Sequence, residues 1–291
     1  MTWPEESAGD ASLPVATAPF TARERLARKI FESALIRQPI SSEPISLTRG
    51  TLTVSFDDFP RSAWREGGAV LHDYGVKATY YASGGLLGRR FNGIAQAEVA
   101  DLEAIHAAGH EIGNHTFEHL AATRCTPERY RASIARNDRF LRSILPGLSL
   151  ESFAYPHGLA PTWARLDTAR MFTSSRATIH GVNGPTLDRS SLKAVGLEKW
   201  RLARMRSREV NFETLFEIAS RERRWIIVYT HDVSDTPSPY GCTQMQLSRI
   251  LDIARRHGLA TATNAEVMRQ HLLSLPVTQA CSSRNAHPVS A

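Results

Sequence analysis

The chain has 291 residues, 42% of them hydrophobic and 22% charged, enough apolar content for one globular domain with a substantial core, which excludes a disordered chain. Its formal net charge is +6 at pH 7, carried mostly by arginine and scattered along the sequence, so no basic arm of the kind that dominates nucleic-acid binding is present. Three widely spaced cysteines, Cys125, Cys242 and Cys281, exclude a disulfide framework or a cysteine metal site and fit a reducing compartment.

The opening Met1-Thr2-Trp3-Pro4-Glu5-Glu6 lacks the basic start and apolar stretch of a secretory signal, and no apolar run is long enough to span a bilayer, so a cytoplasmic location is expected. Residues 1–48 read as an N-terminal extension. Within it Leu26, Ile30, Phe31, Ala34 and Leu35 recur at helical spacing with basic residues opposite. This predicts an amphipathic helix over 22–37 that packs on the main domain or makes peripheral membrane contact. The main domain is expected over 49–275. A buried strand is predicted at Thr51 to Phe56, a helix over 61–74 stopped by Gly75, and a strand from Ala78 to Ala82. A helix over 96–108 stops at Gly109, and a short strand segment follows from Glu111 to Asn114. A long helix over 127–145 starts from Thr126-Pro127, an N-cap followed by proline at N1. Strands are predicted at Ser152 to Tyr155 and Trp225 to Thr230. A helix over 244–257 stops at Gly258 before a last strand near Leu259 to Thr263. Residues 276–291 read as a disordered polar tail. Strands alternating with helices imply an α/β fold on a parallel sheet, closed or doubly wound. The densest basic cluster, Arg201, Arg204, Arg206 and Arg208, reads as a solvated face or an anion contact.

Several ionisable residues fall just after predicted strands: Asp57 and Asp58, His115 and His119, His231 and Asp232. Carboxyl ends of parallel strands are where active sites gather in such folds. Read singly, each has a structural alternative: a turn or cap for the aspartates, a satisfied core histidine for His231. The His-x3-His pair His115/His119 is expected to present two imidazoles on one helical face. With one carboxylate these suit zinc or another first-row metal with a position left open. The second such pair, His106 and His110, straddles a predicted helix end and is read as structural. His231 has the chemistry of a general acid near neutral pH. Asp232, one residue on, is expected to point to the opposite face.

Taken together, the motifs resemble the polysaccharide deacetylase family, the NodB-homology domain of carbohydrate esterase family 4. The similarity rests on Thr53-Val54-Ser55-Phe56-Asp57-Asp58, on Gly109 to Asn114 followed by His115-Thr116-Phe117-Glu118-His119, on Phe153-Ala154-Tyr155-Pro156-His157-Gly158, and on Val228-Tyr229-Thr230-His231. Gly75-Val76-Lys77-Ala78-Thr79-Tyr80-Tyr81 looks like the family's second strand, and order and spacing agree over roughly residues 50–265. The resemblance implies a distorted (β/α) barrel of parallel strands with outer helices. It also implies a hydrolase that removes N-acetyl groups from a sugar in an oligosaccharide, polysaccharide or lipid-linked glycan. Carried over by position, Asp58, His115 and His119 bind one divalent metal ion, expected to be zinc, with cobalt, nickel or manganese as alternatives. Asp57 is the general base, His231 the general acid, and the backbone N–H of His157 holds the oxyanion. Tyr155, Pro156 and Tyr240 are candidate substrate contacts, Tyr240 lying in a predicted rim loop over 233–243.

Two departures stand out. The family's glycine after the aspartate pair is Phe59 here, and the arginine that orients the base is replaced by Ala154. The family's fourth motif, which tunes the acid histidine, finds no clear match, Trp200 being a poor one. Two alternatives remain open from the residues: a metal-dependent hydrolase of a non-sugar amide, imide or O-acetyl ester, and a catalytically decayed glycan-binding protein. The expected partner is an N-acetylated carbohydrate and not nucleic acid; the oligomeric state is left open.

Overall fold

The computed structural model describes residues 39–198 and 212–274. The expected helix over 22–37, the tail after 275, Trp200 and the Arg201–Arg208 cluster lie outside the described residues. Chain order begins with β1 (Ser42–Pro44), β2 (Thr51–Phe56), α1 (Arg61–Asp73) and β3 (Thr79–Ala82), followed by a hairpin of β4 (Arg90–Phe91) and β5 (Ile94–Ala95). Next come α2 (Val99–Ala107), β6 (Glu111–Asn114), α3 (Pro127–Ile144), β7 (Ser152–Ala154), α4 (Thr162–Met171), β8 (Ser174–Arg176), β9 (Thr186–Asp188) and β10 (Val195–Gly196). The remainder is α5 (Phe212–Arg221), β11 (Trp225–Thr230), α6 (Gln244–Arg256), β12 (Ala260–Thr261) and α7 (Asn264–Ser274).

The main sheet has eight parallel strands ordered β10-β11-β2-β3-β6-β7-β8, with β12 also pairing β2. It curls, and the segment just before β10 meets the far strand: Leu192 N donates to Ser175 O and Ala177 N to Leu192 O. The α/β distorted barrel expected from the sequence is borne out.

Period-2 alternation sorts every central strand into an outer and an inner row. On β2, Leu52, Val54 and Phe56 pack outward with Ala63 and Leu71 of α1 and Leu247, Ile250 and Leu251 of α6. Thr53 and Ser55 face inward, where Thr53 accepts a hydrogen bond from Trp225 Nε1 (2.9 Å). On β11, Ile226 and Val228 join the outer core while Trp225, Ile227 and Tyr229 fill the interior. Extending these inner rows past the strand ends gives Asp57 and His231.

Helix ends follow local chemistry. Thr126 caps α3 by accepting from Arg129 N with Pro127 in the first turn, as the sequence predicts. Thr243 and Gln246 close a reciprocal capping box on α6. The helix expected from residue 96 begins three residues later. Ile94 and Ala95 are taken by the hairpin, and Glu98 with Asp101 forms the cap instead. That hairpin turns on Asn92-Gly93, both at positive φ (50° and 79°), the signature of a two-residue turn matched to strand twist.

Candidate active site

Asp57 leaves β2 beside β11, its N–H donating to Thr230 O (3.0 Å), which sets Asp57 next to His231. Chain direction reverses at once: Asp58 and Phe59 both adopt left-handed φ, 65° and 66°. The glycine usual at position 59 is the residue for that conformation. Here a fully buried phenylalanine holds it, its ring edge-on to Tyr80. Among the described residues seven non-glycine positions have positive φ, and Asp58, Phe59, Thr116, His119 and His157 are five of them. Each costs about 1–3 kcal/mol and persists only where packing over-determines it, so backbone strain is concentrated at this end of the barrel.

His115 and His119 do not share a helix face. His115 directly follows β6, and the chain to His119 is a loop that bends at Thr116 (φ 59°) and His119 (φ 54°). Buried polar groups build the bend. Asn114 Oδ1 accepts from Thr116 N (2.9 Å) and Asn137 Nδ2 (3.0 Å). Thr116 Oγ1 accepts from Leu120 N (2.9 Å), and Ser133 Oγ of α3 accepts from Phe117 N (3.0 Å). The sequence spacing brings the imidazoles together, but through side-chain-to-backbone bonds that compete with helix.

The two rings lie 5.0 Å apart, and their Nε2 atoms stand 3.3 Å (His115) and 3.0 Å (His119) from Asp58 Oδ1. These three ligand atoms are within 4.8 Å of one another. His115 Nδ1 lies 2.8 Å from the carbonyl of Ala154, so Nδ1 carries the proton in the neutral ring and Nε2 offers a lone pair. Lone pairs therefore converge with the buried carboxylate on one point, which calls for a cation. The donor set, two imidazoles and a carboxylate, fits a divalent metal.

Opposite Asp57 lies a residue the sequence reading did not single out. Arg176 ends β8, fully buried, with Nη2 2.5 Å from both oxygens of Asp57. Its guanidinium also sits over the rings of Tyr229 (4.8 Å) and Tyr81 (5.3 Å). Burial opposes its charge, yet Asp57, Tyr81 and Tyr229 together raise its pKa. Arg176 is the register partner of Ala154, the position where the motif lacks its arginine. The cation absent from β7 is supplied by the neighbouring strand on the same face. Gly113, on the strand between β3 and β7, leaves the room: a Cβ there would stand 2.5 Å from the Tyr81 ring.

His231 Nδ1 lies 3.2 Å from Tyr240 O and 3.8 Å from Glu198 Oε1, which leaves Nε2 as the ring nitrogen for proton donation. Burial would lower its pKa; the carboxylates of Asp58, Asp57 and Glu198 and the Tyr240 carbonyl prevail and raise it. Glu198, buried two residues after β10, is the second residue that sequence reasoning missed. Two residues from Trp200, it occupies the stretch where the family's tuning motif was sought. Asp232 points outward as expected and accepts from Ser238 N (2.8 Å) and Ser238 Oγ (2.5 Å), fixing the 233–242 loop that carries Tyr240. The exposed Tyr240 ring lies 5.6 Å from that of His231.

His157 sits at φ 61° in the tight turn after β7, its ring 4.8 Å from His119. Burial, with His119 close by, depresses its pKa to about 3, so the ring is neutral. Tyr155 is not available as a substrate contact: its side chain is buried and its hydroxyl bonds Ser190 O (2.8 Å) and Thr168 Oγ1 (2.5 Å). Pro156 is likewise buried. Its aromatic neighbour in the motif faces outward from the barrel interior because β7 alternates. His110 plays the structural part read for it, accepting from Ala78 N (3.0 Å) against Trp64.

The polysaccharide deacetylase family model matches residues 46–171, which bears out the recognition made from the motifs. Among solved structures, IcaB from Ammonifex degensii shares 24% identity over 49% of this chain and 66% of its own, with TM-score 0.45. The Bc1960 peptidoglycan N-acetylglucosamine deacetylase shares 17% over 78% and 91%, TM-score 0.52. BA3943 from Bacillus anthracis, a family 4 carbohydrate esterase pseudoenzyme, shares 13% over 79% and 69%, TM-score 0.50. At these identities the likenesses to Bc1960 and BA3943 show the fold alone. Among the described residues no helix is long and apolar enough to cross a membrane.

Proposed function

Taking the chain as a member of the polysaccharide deacetylase family, we propose that it is a metal-dependent hydrolase removing N-acetyl groups from an N-acetylated sugar. The observation that carries this reading is the convergence of Asp58, His115 and His119 beside an arginine-held carboxylate, Asp57, and an imidazole acid, His231. A divalent cation, zinc in the first instance, supplies Lewis acidity to the acyl oxygen and eases ionisation of a water. Asp58, His115 and His119 hold it, His115 being oriented by the Ala154 carbonyl. Asp57, clamped by Arg176, takes the proton of the attacking water. The His157 N–H donates to the developing oxyanion. His231, with Nδ1 tied to Tyr240 O and Glu198, donates from Nε2 to the amine nitrogen as the C–N bond breaks. Tyr240 offers its exposed ring to the sugar.

The test is acetate release from N-acetylglucosamine oligomers by wild type, Asp57→Asn and His231→Ala, with chelator and with added zinc. Metal-dependent release lost in both variants is expected. The likeness to a pseudoenzyme makes retained metal without turnover the specific contrary outcome, and release only from O-acetyl esters or non-sugar amides would redirect the substrate class.

The tuning of His231 has its own signature. Its acid form must be present for proton donation, so activity falls as pH rises through its raised pKa. Glu198→Gln removes one of the carboxylates that raise it, so the alkaline limb of kcat/KM is expected to move to lower pH with the acid limb in place. A uniform loss at every pH would show Glu198 to be structural.

A further inference from the structure

His231 and Asp232 leave β11 on opposite faces, yet the outward residue acts back on the inward one. Residues 233–242 form a loop between β11 and Thr243, the N-cap of α6. Its two ends are tied together. Cys242 N donates to Asp232 O (3.0 Å) and Ser234 N to Cys242 O (3.1 Å), while Val233 N donates to Ser62 Oγ of α1 (3.2 Å). Its middle is a different matter: Asp235, Thr236, Pro239 and Tyr240 are exposed. Such a stretch samples many conformations unless it is bonded down.

The Asp232 carboxylate bonds it down. Asp232 is buried, its Oδ2 accepting from Ser238 N (2.8 Å) and its Oδ1 from Ser238 Oγ (2.5 Å). Ser238 Oγ in turn accepts from Tyr240 N (3.1 Å), and Ser238 O accepts from Gly241 N (3.1 Å). Only a glycine fits at 241, because a Cβ there would collide with Asp232 Oδ1. Tyr240 is thus held at its N–H by Ser238, and its carbonyl comes back to the end of β11. There it lies 3.2 Å from His231 Nδ1 and 3.4 Å from Thr230 Oγ1.

We propose that Asp232 is a positioning residue for the acid histidine: through Ser238 it places the Tyr240 carbonyl that holds a proton on His231 Nδ1 and keeps Nε2 as the donating nitrogen. The proton-donor role rests on the deacetylase reading; the orientation of the ring does not. Tyr240 O is nearer to Nδ1 than the Glu198 carboxylate is, 3.2 Å against 3.8 Å. A carbonyl that accepts from Nδ1–H fixes the tautomer of the ring and so the nitrogen that exchanges protons. When Nε2 gives its proton to the leaving amine, the ring left behind is neutral with its proton on Nδ1, the form the carbonyl already accepts from. A ring released from that carbonyl takes either tautomer and turns more freely, so fewer molecules present the Nε2 proton to the substrate.

The test is NMR of the histidine side-chain nitrogens in the full chain with zinc added, at a pH where the His231 ring is neutral. Its signals are assigned by their absence in His231→Gln. Wild type is expected to show a protonated Nδ1 and a bare Nε2. Asp232→Ala is expected to mix in the Nε2–H tautomer and to lower kcat for acetate release about tenfold, part of what a general acid contributes. Asp232→Asn can accept from Ser238 N and donate to Ser238 Oγ, and is expected to restore both. Ser238→Ala leaves the carboxylate and its bond from the backbone N–H in place, and is expected to repeat the Asp232→Ala result even if that variant does not fold. An Nε2–H tautomer in wild type would overturn the proposal. So would the wild-type tautomer and kcat in Ser238→Ala and in any folded Asp232→Ala, since Asp232 would then only pack the loop. A wild type that releases no acetate, yet shows the tautomer and loses it in the variants, would sink the enzymatic reading and leave the positioning role standing.

Discussion

Arg176→Met is expected to lower kcat for acetate release by about a hundredfold or more, because a base displaced by as little as an ångström loses that much. The same change strands the Asp57 carboxylate in a buried site and is expected to destabilise the fold by about 3–5 kcal/mol, read as a lower urea midpoint. The cause is visible in the structure: one Nη2 meets both oxygens of Asp57 at 2.5 Å, and the guanidinium is itself flanked by Tyr81 and Tyr229. Arg176→Lys keeps the charge without the planar group and should fall between. A stability defect and a catalytic one separate in the double variant Ala154→Arg/Arg176→Ala, which moves the cation one strand over to its register partner. Recovery of kcat there would show that Asp57 needs an arginine and not this particular strand. A double variant that folds and stays as slow as Arg176→Met would limit Arg176 to a packing role.

Asp58→Ala is expected to abolish stoichiometric zinc binding and to cut kcat by more than about a hundredfold, the loss of Lewis acidity being worth several kcal/mol. Asp58 Oδ1 stands between the Nε2 atoms of His115 and His119, so its removal leaves two neutral ligands and no charge compensation. Chelation of wild type should have the same effect, reversed by zinc, and zinc should raise the melting temperature of wild type alone. Zinc affinity should also fall as pH is lowered, since metal binding releases protons from the ligands. Undiminished turnover of a chain shown to be metal-free would refute the metal reading while leaving Asp57 and His231 in place.

Much of the site was legible because alternation is a local property. Thr53, Ser55 and Asp57, and likewise Ile227, Tyr229 and His231, lie on inward rows that any parallel strand of that pattern produces, and Asp232 faces the other way for the same reason. The strands β2 and β11 and the capped helices α3 and α6 could be read from apolar runs and N-cap residues. The hairpin at Asn92-Gly93 carried a turn signature in its own sequence but was passed over within a longer helical pattern. The helices α4, α5 and α7 and the short strands β8, β9 and β10 were not read, their segments being too brief or too mixed to show a period.

The sequence by itself determined which residues stand at the carboxyl ends of the strands, and hence the Asp57, Asp58, His115, His119 and His231 set, because strand periodicity and motif spacing need no partner to be read. Only the tertiary structure decided what completes that set. Arg176 lies 119 residues from Asp57, and Glu198 reaches His231 from the segment just after β10; such contacts follow from which strands neighbour in the sheet, information that no local pattern contains. The geometry of the histidine pair was decided there too, since Asn137 and Ser133 from α3 hold the loop in a bend where spacing alone suggested a helix.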